Sequence, residues 1–249
     1  MAVNLLLLLP GELDATQRAT LVGRRARHVH DVLRAAPGQQ LQAGLLNGPL
    51  LTATVEHSTP QELVVSTRFD RAAPPPRDTL LLAVPRPKVL LRMLQHAAAL
   101  GFADIVLFRS WRVEKSHLQS SAMDPAVQHE QLCLGLEQAG RTQLPTVRYF
   151  PLFKPMVEDE LPQMALPALR FCADPRSAVG TAELAGLADA PLALALGPDG
   201  GFLPYELTQL ANCGFLPIHC GRWPLRTESA LSVLSGQLAL LRARGSLPW

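Results

Sequence analysis

Two short stretches of this chain carry residue types that could do chemistry. The first is Leu196-Gly197-Pro198-Asp199-Gly200-Gly201-Phe202, and the second, Leu225-Arg226-Thr227-Glu228-Ser229-Ala230, follows after one predicted helix and one predicted strand. Parallel α/β sheets bind ligands in the crevice beyond the carboxyl ends of their strands, and both stretches follow predicted strands. Gly197, Gly200 and Gly201 can take positive φ and let a ligand approach the backbone with no Cβ in the way. A plain tight turn would use the same glycines, so this loop alone does not decide between a ligand site and a turn. Arg226 lies just before a predicted helix start, where a charged side chain is more easily aimed at a ligand than buried. The bland alternative is a local Arg226–Glu228 ion pair, and exposed pairs of that kind contribute only about 0–1 kcal/mol.

The elements that must position these loops are legible in the hydropathy. Pro191 to Leu196 is a short apolar run bounded by a turn signal, as expected of a strand buried on both faces. Pro204-Tyr205-Glu206-Leu207 opens a helix, with proline in the tolerated first turn and Glu206 near the favourable end of the dipole. Phe215 to His219 reads as a further strand, and Thr227 as the N-cap of a helix carrying Leu231, Leu234, Leu238 and Leu241. Upstream, Leu80 to Val84 is a strand, Val89 to Leu100 a helix ended by Gly101, and Ile105 to Phe108 a strand; Asp124-Pro125 starts a helix that ends at Gly140. Alternation of this kind implies a parallel sheet with helices on its faces, hence an α/β fold over residues 78–249. Asp70 to Arg77 contains a proline-rich linker, placed at residues 73–77. Before it, over residues 1–72, Leu5 to Leu9, Leu41 to Leu46, Leu50 to Val55 and Leu63 to Phe69 read as strands of a small β-barrel-like domain, with Asp14 to Arg34 partly helical.

The composition, 48% hydrophobic and 18% charged over 249 residues, excludes a disordered chain and leaves room for one or two domains. Leu5 to Leu9 is too short for a signal-peptide core or a membrane span, so no membrane association is expected. Cys133, Cys172, Cys213 and Cys220 form no Cys-x-x-Cys pair and His28 and His30 have no third ligand near in sequence, so no metal site is expected and a reducing cytoplasm fits best. Gly-x-Gly-x-x-Gly and P-loop motifs are lacking, which leaves a ligand with little phosphate. The net charge of +2 hides an asymmetry. Arg18 to Arg34 and Arg86 to Lys115 are basic stretches, one in each half, which suggests a split footprint for an anionic polymer; two solvated faces would give the same pattern.

Gly-Pro-Asp-Gly-Gly-Phe with Glu206 behind it, then Leu-Arg-Thr-Glu-Ser-Ala, resembles the ribosomal RNA small subunit methyltransferase E family, uridine N3 methyltransferases of the trefoil-knotted SPOUT superfamily. The resemblance runs nearly the full length, through Arg27-His28-Val29, Val32-Leu33-Arg34, Pro85-Arg86-Pro87-Lys88, Ala99-Leu100-Gly101, Arg112-Val113-Glu114-Lys115-Ser116 and Leu136-Glu137-Gln138-Ala139-Gly140-Arg141. It implies a PUA-like RNA-binding β-barrel domain followed by a knotted SPOUT methyltransferase domain. It also implies a homodimer, the cofactor S-adenosylmethionine, and 16S ribosomal RNA in the small ribosomal subunit as partner. The positions that correspond to the cofactor site are Leu196, Gly197, Gly200, Gly201, Cys220, Gly221, Leu225, Arg226 and Ala230.

Transfer to uracil N3 must remove a weakly acidic proton and stabilise charge spreading onto the flanking carbonyls. Arg226 is the candidate to hold that charge, and Glu228 either orients Arg226 or takes the proton. The candidates for RNA phosphates are Arg24, Arg25, Arg27 and Arg34 in the small domain and Arg86, Lys88, Arg92, Arg112, Lys115 and Arg141 in the large one. The chain departs from the family pattern at Asp199, where glutamate is usual, and at Gly221-Arg222-Trp223-Pro224, where an arginine is displaced by one residue. Two other classes stay open: a non-catalytic RNA-binding or ribosome-assembly factor, and a ribose 2′-O-methyltransferase of the same superfamily.

Overall fold

The computed structural model describes residues 5–184 and 186–245. The chain divides into two compact units, one ending at Pro75 and taking in Leu132–Leu144, the other running from Pro76 to Gln131 and resuming at Pro145.

The first unit holds a five-stranded sheet built from β1 (Leu6–Leu8), β2 (Arg18–Val22), β3 (Gln40–Leu45), β4 (Leu50–Ser58) and β5 (Glu62–Arg71), in the order β1-β3-β4-β5-β2. β1 pairs parallel with β3 and every other ladder is antiparallel. Strict alternation in β2, with Ala19 and Leu21 buried between exposed Arg18, Thr20 and Val22, turns one face onto a core of Leu8, Val29, Val55, Leu63 and Val65. The Arg18–Arg34 region is part strand and part helix: α1 (Arg24–Arg27) follows β2 and widens into a π-helical turn over His28–Val32 that buries Val29.

The second unit is built on a six-stranded sheet of β6 (Asp78–Ala83), β7 (Phe102–Phe108), β8 (Thr146–Phe150), β9 (Leu169–Ala173), β10 (Leu192–Leu196) and β11 (Leu216–Ile218). Its order is β11-β9-β10-β6-β7-β8, and all five ladders are parallel. β6 and β10 are buried at every residue, as continuous apolar runs in a covered parallel sheet should be. Between strands run α2 (Pro87–Leu100), α3 (Lys115–Leu118), α4 (Pro125–Ala139), which from Leu132 on is counted with the first unit, the single turn α5 (Phe153–Pro155), α6 (Pro204–Asn212) and α7 (Thr227–Gly245). Gly101 ends α2 in the left-handed region at φ 86°, its N–H donating to the Ala97 and Ala98 carbonyls. β7 begins at Phe102, earlier than the apolar run at Ile105, because Phe102 is buried and pairs with Asp78.

The start of α7 differs from expectation. The Arg226 carbonyl accepts the N–H of Ala230 at 2.8 Å, so Arg226 occupies the cap position and Thr227 is the first helical residue. The Thr227 hydroxyl instead reaches the Gly197 carbonyl and the Asp199 carboxylate, each at 3.5 Å. Further along α7, the Arg242 guanidinium grips Asp78 with two bonds of 2.8 Å and so fastens the helix to the first strand of its sheet. Among the described residues no helix is long and apolar enough to cross a membrane.

Candidate active site

β9, β10 and β11 are neighbours that run parallel, so their carboxyl ends at Ala173, Leu196 and Ile218 open on one side of the sheet. The three segments that leave those ends enclose a cavity of about 260 Å³. It gathers Leu196, Gly197, Gly200, Gly201, Cys220, Gly221, Leu225 and Ala230, the residues expected at the cofactor apart from Arg226, together with Asp174, Arg176, Trp223 and Thr227.

The glycine loop is set by backbone geometry. Gly201 has φ 71° and donates its N–H to the Pro198 carbonyl at 2.7 Å, a turn that favours glycine. A Cβ on Gly197 would stand 3.1 Å from the Phe202 nitrogen and ring, so the loop folds tightly over Phe202. Phe202 in turn is buried and lies parallel to the Phe108 ring, 6.4 Å between centroids. Arg112 donates to the Gly200 and Gly201 carbonyls from outside. Arg176 donates to the Phe202 carbonyl at 3.1 Å while its Nε holds Asp174 at 3.0 Å.

The second loop is held by its own ties. His219 exchanges backbone hydrogen bonds with Val179 and Thr181, and the Cys220 carbonyl accepts from Gln237 on α7 at 3.1 Å. Gly221 adopts φ 147°. Beyond it, Trp223 is 71% exposed, with the Arg222 guanidinium over its ring at 5.2 Å.

Arg226 is exposed and is not part of the cavity wall, although its neighbours Leu225 and Thr227 are. Glu228 does not pair with it: both Glu228 oxygens accept from Arg92 at 3.2 Å. Three arginines expected on RNA phosphates therefore meet at the rim, since Arg86 stands 3.7 Å from Asp199, Arg92 holds Glu228, and Arg112 holds the glycine loop. Lys88 and Lys115 are exposed.

In the first unit Arg27 and Arg34 are exposed, Arg34 with φ 51°, and Arg24 pairs with Glu137 at 2.8 Å. Arg141 is half-buried, its N–H donating to the Leu136 carbonyl. Arg25 turns inward, donating to the Leu7 carbonyl and to both Glu12 oxygens. Burial pushes the Glu12 carboxyl up, but the hydrogen bonds from Arg25 and the Leu9 N–H, with the Arg25 charge, hold it below its ordinary value. Arg25 thus serves the fold of its unit rather than a phosphate.

Burial, aided by the Asp174 charge, pushes the Cys172 thiol up to about 12, and burial also raises Cys220. Among the described residues no three His, Cys, Asp or Glu side chains gather as a metal site would.

Asp174 and Arg176 were not anticipated at the cavity; Glu206 stands in the first turn of α6 as expected, but its bond to Trp111 was not foreseen. Asp174 and Arg176 follow β9 as the glycine loop follows β10, and that position after a strand was their one available signal. Glu206 is 2% exposed, and its oxygens accept the N–H groups of Leu203 at 2.8 Å and Trp111 at 3.0 Å.

The RNA methyltransferase domain family model matches residues 73–239, which include β6 to β11 and every wall of the cavity. The chain belongs to that family. Within it, the chain is 28% identical to the ribosomal RNA small subunit methyltransferase E of Treponema pallidum, over 82% of this chain and 77% of that one. It is 24% identical to the Mycobacterium bovis protein of the same name, over 93% and 89%. The resemblance read from the sequence is borne out by these relatives. The fold is shared with a methyltransferase from Legionella pneumophila in complex with its bound cofactor SAM (24% identity, TM-score 0.70, 97% and 98% of the two chains). It is also shared with the ribosomal RNA small subunit methyltransferase E of Neisseria gonorrhoeae bound to S-adenosyl methionine (21% identity, TM-score 0.70, 96% and 95%).

Proposed function

We propose that this RNA methyltransferase uses S-adenosylmethionine to methylate N3 of a uridine in 16S ribosomal RNA of the small subunit. The observation that carries the reading is the convergence of the glycine loop and the Cys220–Ala230 segment on one cavity, rimmed by Arg86, Arg92 and Arg112. The chemistry of the cavity suits this cofactor. Its walls include Leu196, Ile218, Ala230 and Leu234, and its polar groups are the glycine-loop backbone with the side chains of Asp174, Arg176, Asp199, His219 and Thr227, the Arg176 guanidinium being held by Asp174 and the Phe202 carbonyl. Leu196, Gly197, Gly200, Gly201, Cys220, Gly221 and Leu225 would hold it, and when bound it supplies an electrophilic methyl group on a cationic sulfonium.

The remaining work falls to this chain's own residues. Arg226, beside the cavity wall at the start of α7, holds the negative charge that develops on the uracil carbonyls. Glu228, fixed by Arg92, takes the N3 proton. The loops align the nucleophile with the methyl group, which supplies much of the rate. The target base must leave its stack to arrive there, and the exposed cations of both units grip the surrounding backbone. The reading includes a SPOUT trefoil knot, a PUA-like RNA-binding role for the first unit, a homodimer and a cytoplasmic site of action.

The test is incubation with methyl-labelled S-adenosylmethionine and small subunits lacking the modification, followed by mass spectrometry of the digested nucleosides. Labelled 3-methyluridine is expected. Label on a ribose would make the chain a 2′-O-methyltransferase. No label, with cofactor binding confirmed and a control enzyme active on the same subunits, would make it a non-catalytic RNA-binding factor.

A further inference from the structure

A second cavity, of about 560 Å³, opens in the same unit where the chain leaves β7 and β8, lined among others by Arg109, Ser110, Trp111, Leu152, Lys154 and Tyr205. It shares no wall residue with the first, yet both are built on one segment: Leu196 to Gly201 lines the first, and Leu203 to Glu206 contributes to the second.

Three observations point to an occupant. Trp111 is 81% exposed, Leu152 56% and Tyr205 47%, an apolar group that a soluble unit has no reason to leave in water without a ligand or partner. Ser110 is fully buried, and its hydroxyl has no hydrogen-bond partner, an unfavourable state that a ligand hydrogen-bonding group would relieve. Two cations, Arg109 and Lys154, line the cavity. No ion pair involves Arg109 among the described residues, Lys154 has Glu158 only at 3.9 Å, and the Glu206 carboxylate is taken up by the Leu203 and Trp111 N–H groups. That last bond also fixes the backbone of Trp111 in advance of any ligand. Aromatic faces beside cations, with a polar group between them, are how proteins take unstacked bases of single-stranded RNA.

We propose that this cavity receives an unstacked nucleobase of the RNA substrate, from a nucleotide flanking the methyl acceptor. Trp111 and Tyr205 supply the stacking faces, the Ser110 hydroxyl turns to the polar edge of the base, and Arg109 and Lys154 meet the adjoining phosphates. A flanking base is assigned because the cavity has no wall in common with the cofactor cavity. The proposal rests on the RNA-methylating function and adds to it a second grip on the substrate.

The experiment measures binding of the full chain to fluorescein-labelled hexauridylate and to an abasic ribose-phosphate oligomer of equal length by fluorescence anisotropy. Calorimetry with S-adenosylmethionine and sedimentation of each variant run in parallel. Wild type is expected to prefer hexauridylate by about tenfold or more, and Trp111→Ala to lose most of that preference, the scale of one stacking platform. Trp111→Phe should stay within about threefold of wild type, since it keeps a stacking face. Ser110→Ala should weaken hexauridylate but not the abasic oligomer while leaving the melting temperature equal or higher, because it removes an unpaired buried hydroxyl. Unchanged hexauridylate affinity in Trp111→Ala, or an equal loss on both oligomers, overturns the proposal. Dissociation of an oligomer by Trp111→Ala with no change in base preference also overturns it and assigns the cavity to a second copy of the chain. A wild type that discriminates base from abasic oligomer yet neither binds S-adenosylmethionine nor transfers a methyl group upholds the base pocket and refutes the proposed function instead.

Discussion

Arg242→Ala should be among the more damaging single changes in the second unit, although Arg242 lies outside the cavity. Its guanidinium makes two charge-assisted bonds of 2.8 Å to Asp78 and a third of 3.2 Å to the Ala190 carbonyl, with the Arg242 and Asp78 side chains only 11% and 12% exposed. Truncation leaves Asp78 with the Leu192 N–H at 3.1 Å as its remaining donor of those the structure shows. Removing one partner of a buried pair costs about 3–5 kcal/mol, because the other charge stays behind uncompensated. For a chain of this length that corresponds to a fall in melting temperature of about 6–20 °C. Thermal and urea unfolding of the full chain measure it. Arg242→Lys should fall between, keeping the charge but losing the bidentate fork. Asp78→Leu combined with Arg242→Met should be milder than Arg242→Ala alone, since no charge is then stranded. The consequence reaches the site, because the helix anchored by Arg242 carries Thr227, Ala230 and Leu234 into the cavity wall, and cofactor affinity should weaken with stability. A loss under about 1 kcal/mol for Arg242→Ala would refute the reasoning and place the pair with ordinary solvent-screened surface pairs.

Arg226→Ala should lower turnover far more than cofactor affinity, compared by steady-state kinetics and calorimetry; equal losses would make Arg226 a cofactor ligand. Gly201→Ala should destabilise by about 1–2 kcal/mol in urea unfolding through its φ of 71° alone, as no atom lies within 4 Å of the added Cβ. Cys220 should alkylate with iodoacetamide more slowly than free cysteine near neutral pH and faster as pH rises. Burial raises its pKa, so the thiolate fraction at a given pH is reduced. Mass-spectrometric labelling against a Cys220→Ser control checks this, with S-adenosylmethionine expected to protect, and rapid labelling at pH 7 would contradict it.

How much of this site could be read from the chain depended on whether the signal was local. β10 and its glycine loop were legible because an unbroken apolar run buried on both faces ends in residues that only a turn can use, and Gly101 marked the end of α2 for the same local reason. β8 and β9 were not. β8 is an edge strand that leaves Thr146, Arg148 and Tyr149 in solvent. β9 contains Arg170, whose guanidinium folds back onto the Leu166, Pro167 and Cys213 carbonyls and so reads in sequence as a surface cation. Without β9 there was no reason to look at Asp174 and Arg176, which complete the cavity.

Charge shows the same division most sharply. The basic stretches were visible, but which cations were already engaged was not, because their partners are remote in sequence: Arg92 is paired with the Glu228 carboxylate, and Arg112, still charged, donates to the Gly200 carbonyl. Arg25 is consumed by Glu12 within the first unit, whereas Arg86 holds Asp199 of the glycine loop and Arg92 holds Glu228 in the first turn of α7. A phosphate that reaches Arg86 or Arg92 must therefore compete with Asp199 or Glu228 for the same guanidinium. Arrival of an anionic backbone and release of those carboxylates are one exchange of partners, with little net cost because each side replaces one ion pair by another near the surface. A variant that removes the acid, such as Asp199→Ala, should then bind RNA more tightly and with a steeper salt dependence, because Arg86, with no acid to give up, adds a full phosphate contact and the release of the RNA counterion that goes with it. Weaker binding or an unchanged slope would show that Arg86 belongs to the cavity rim alone.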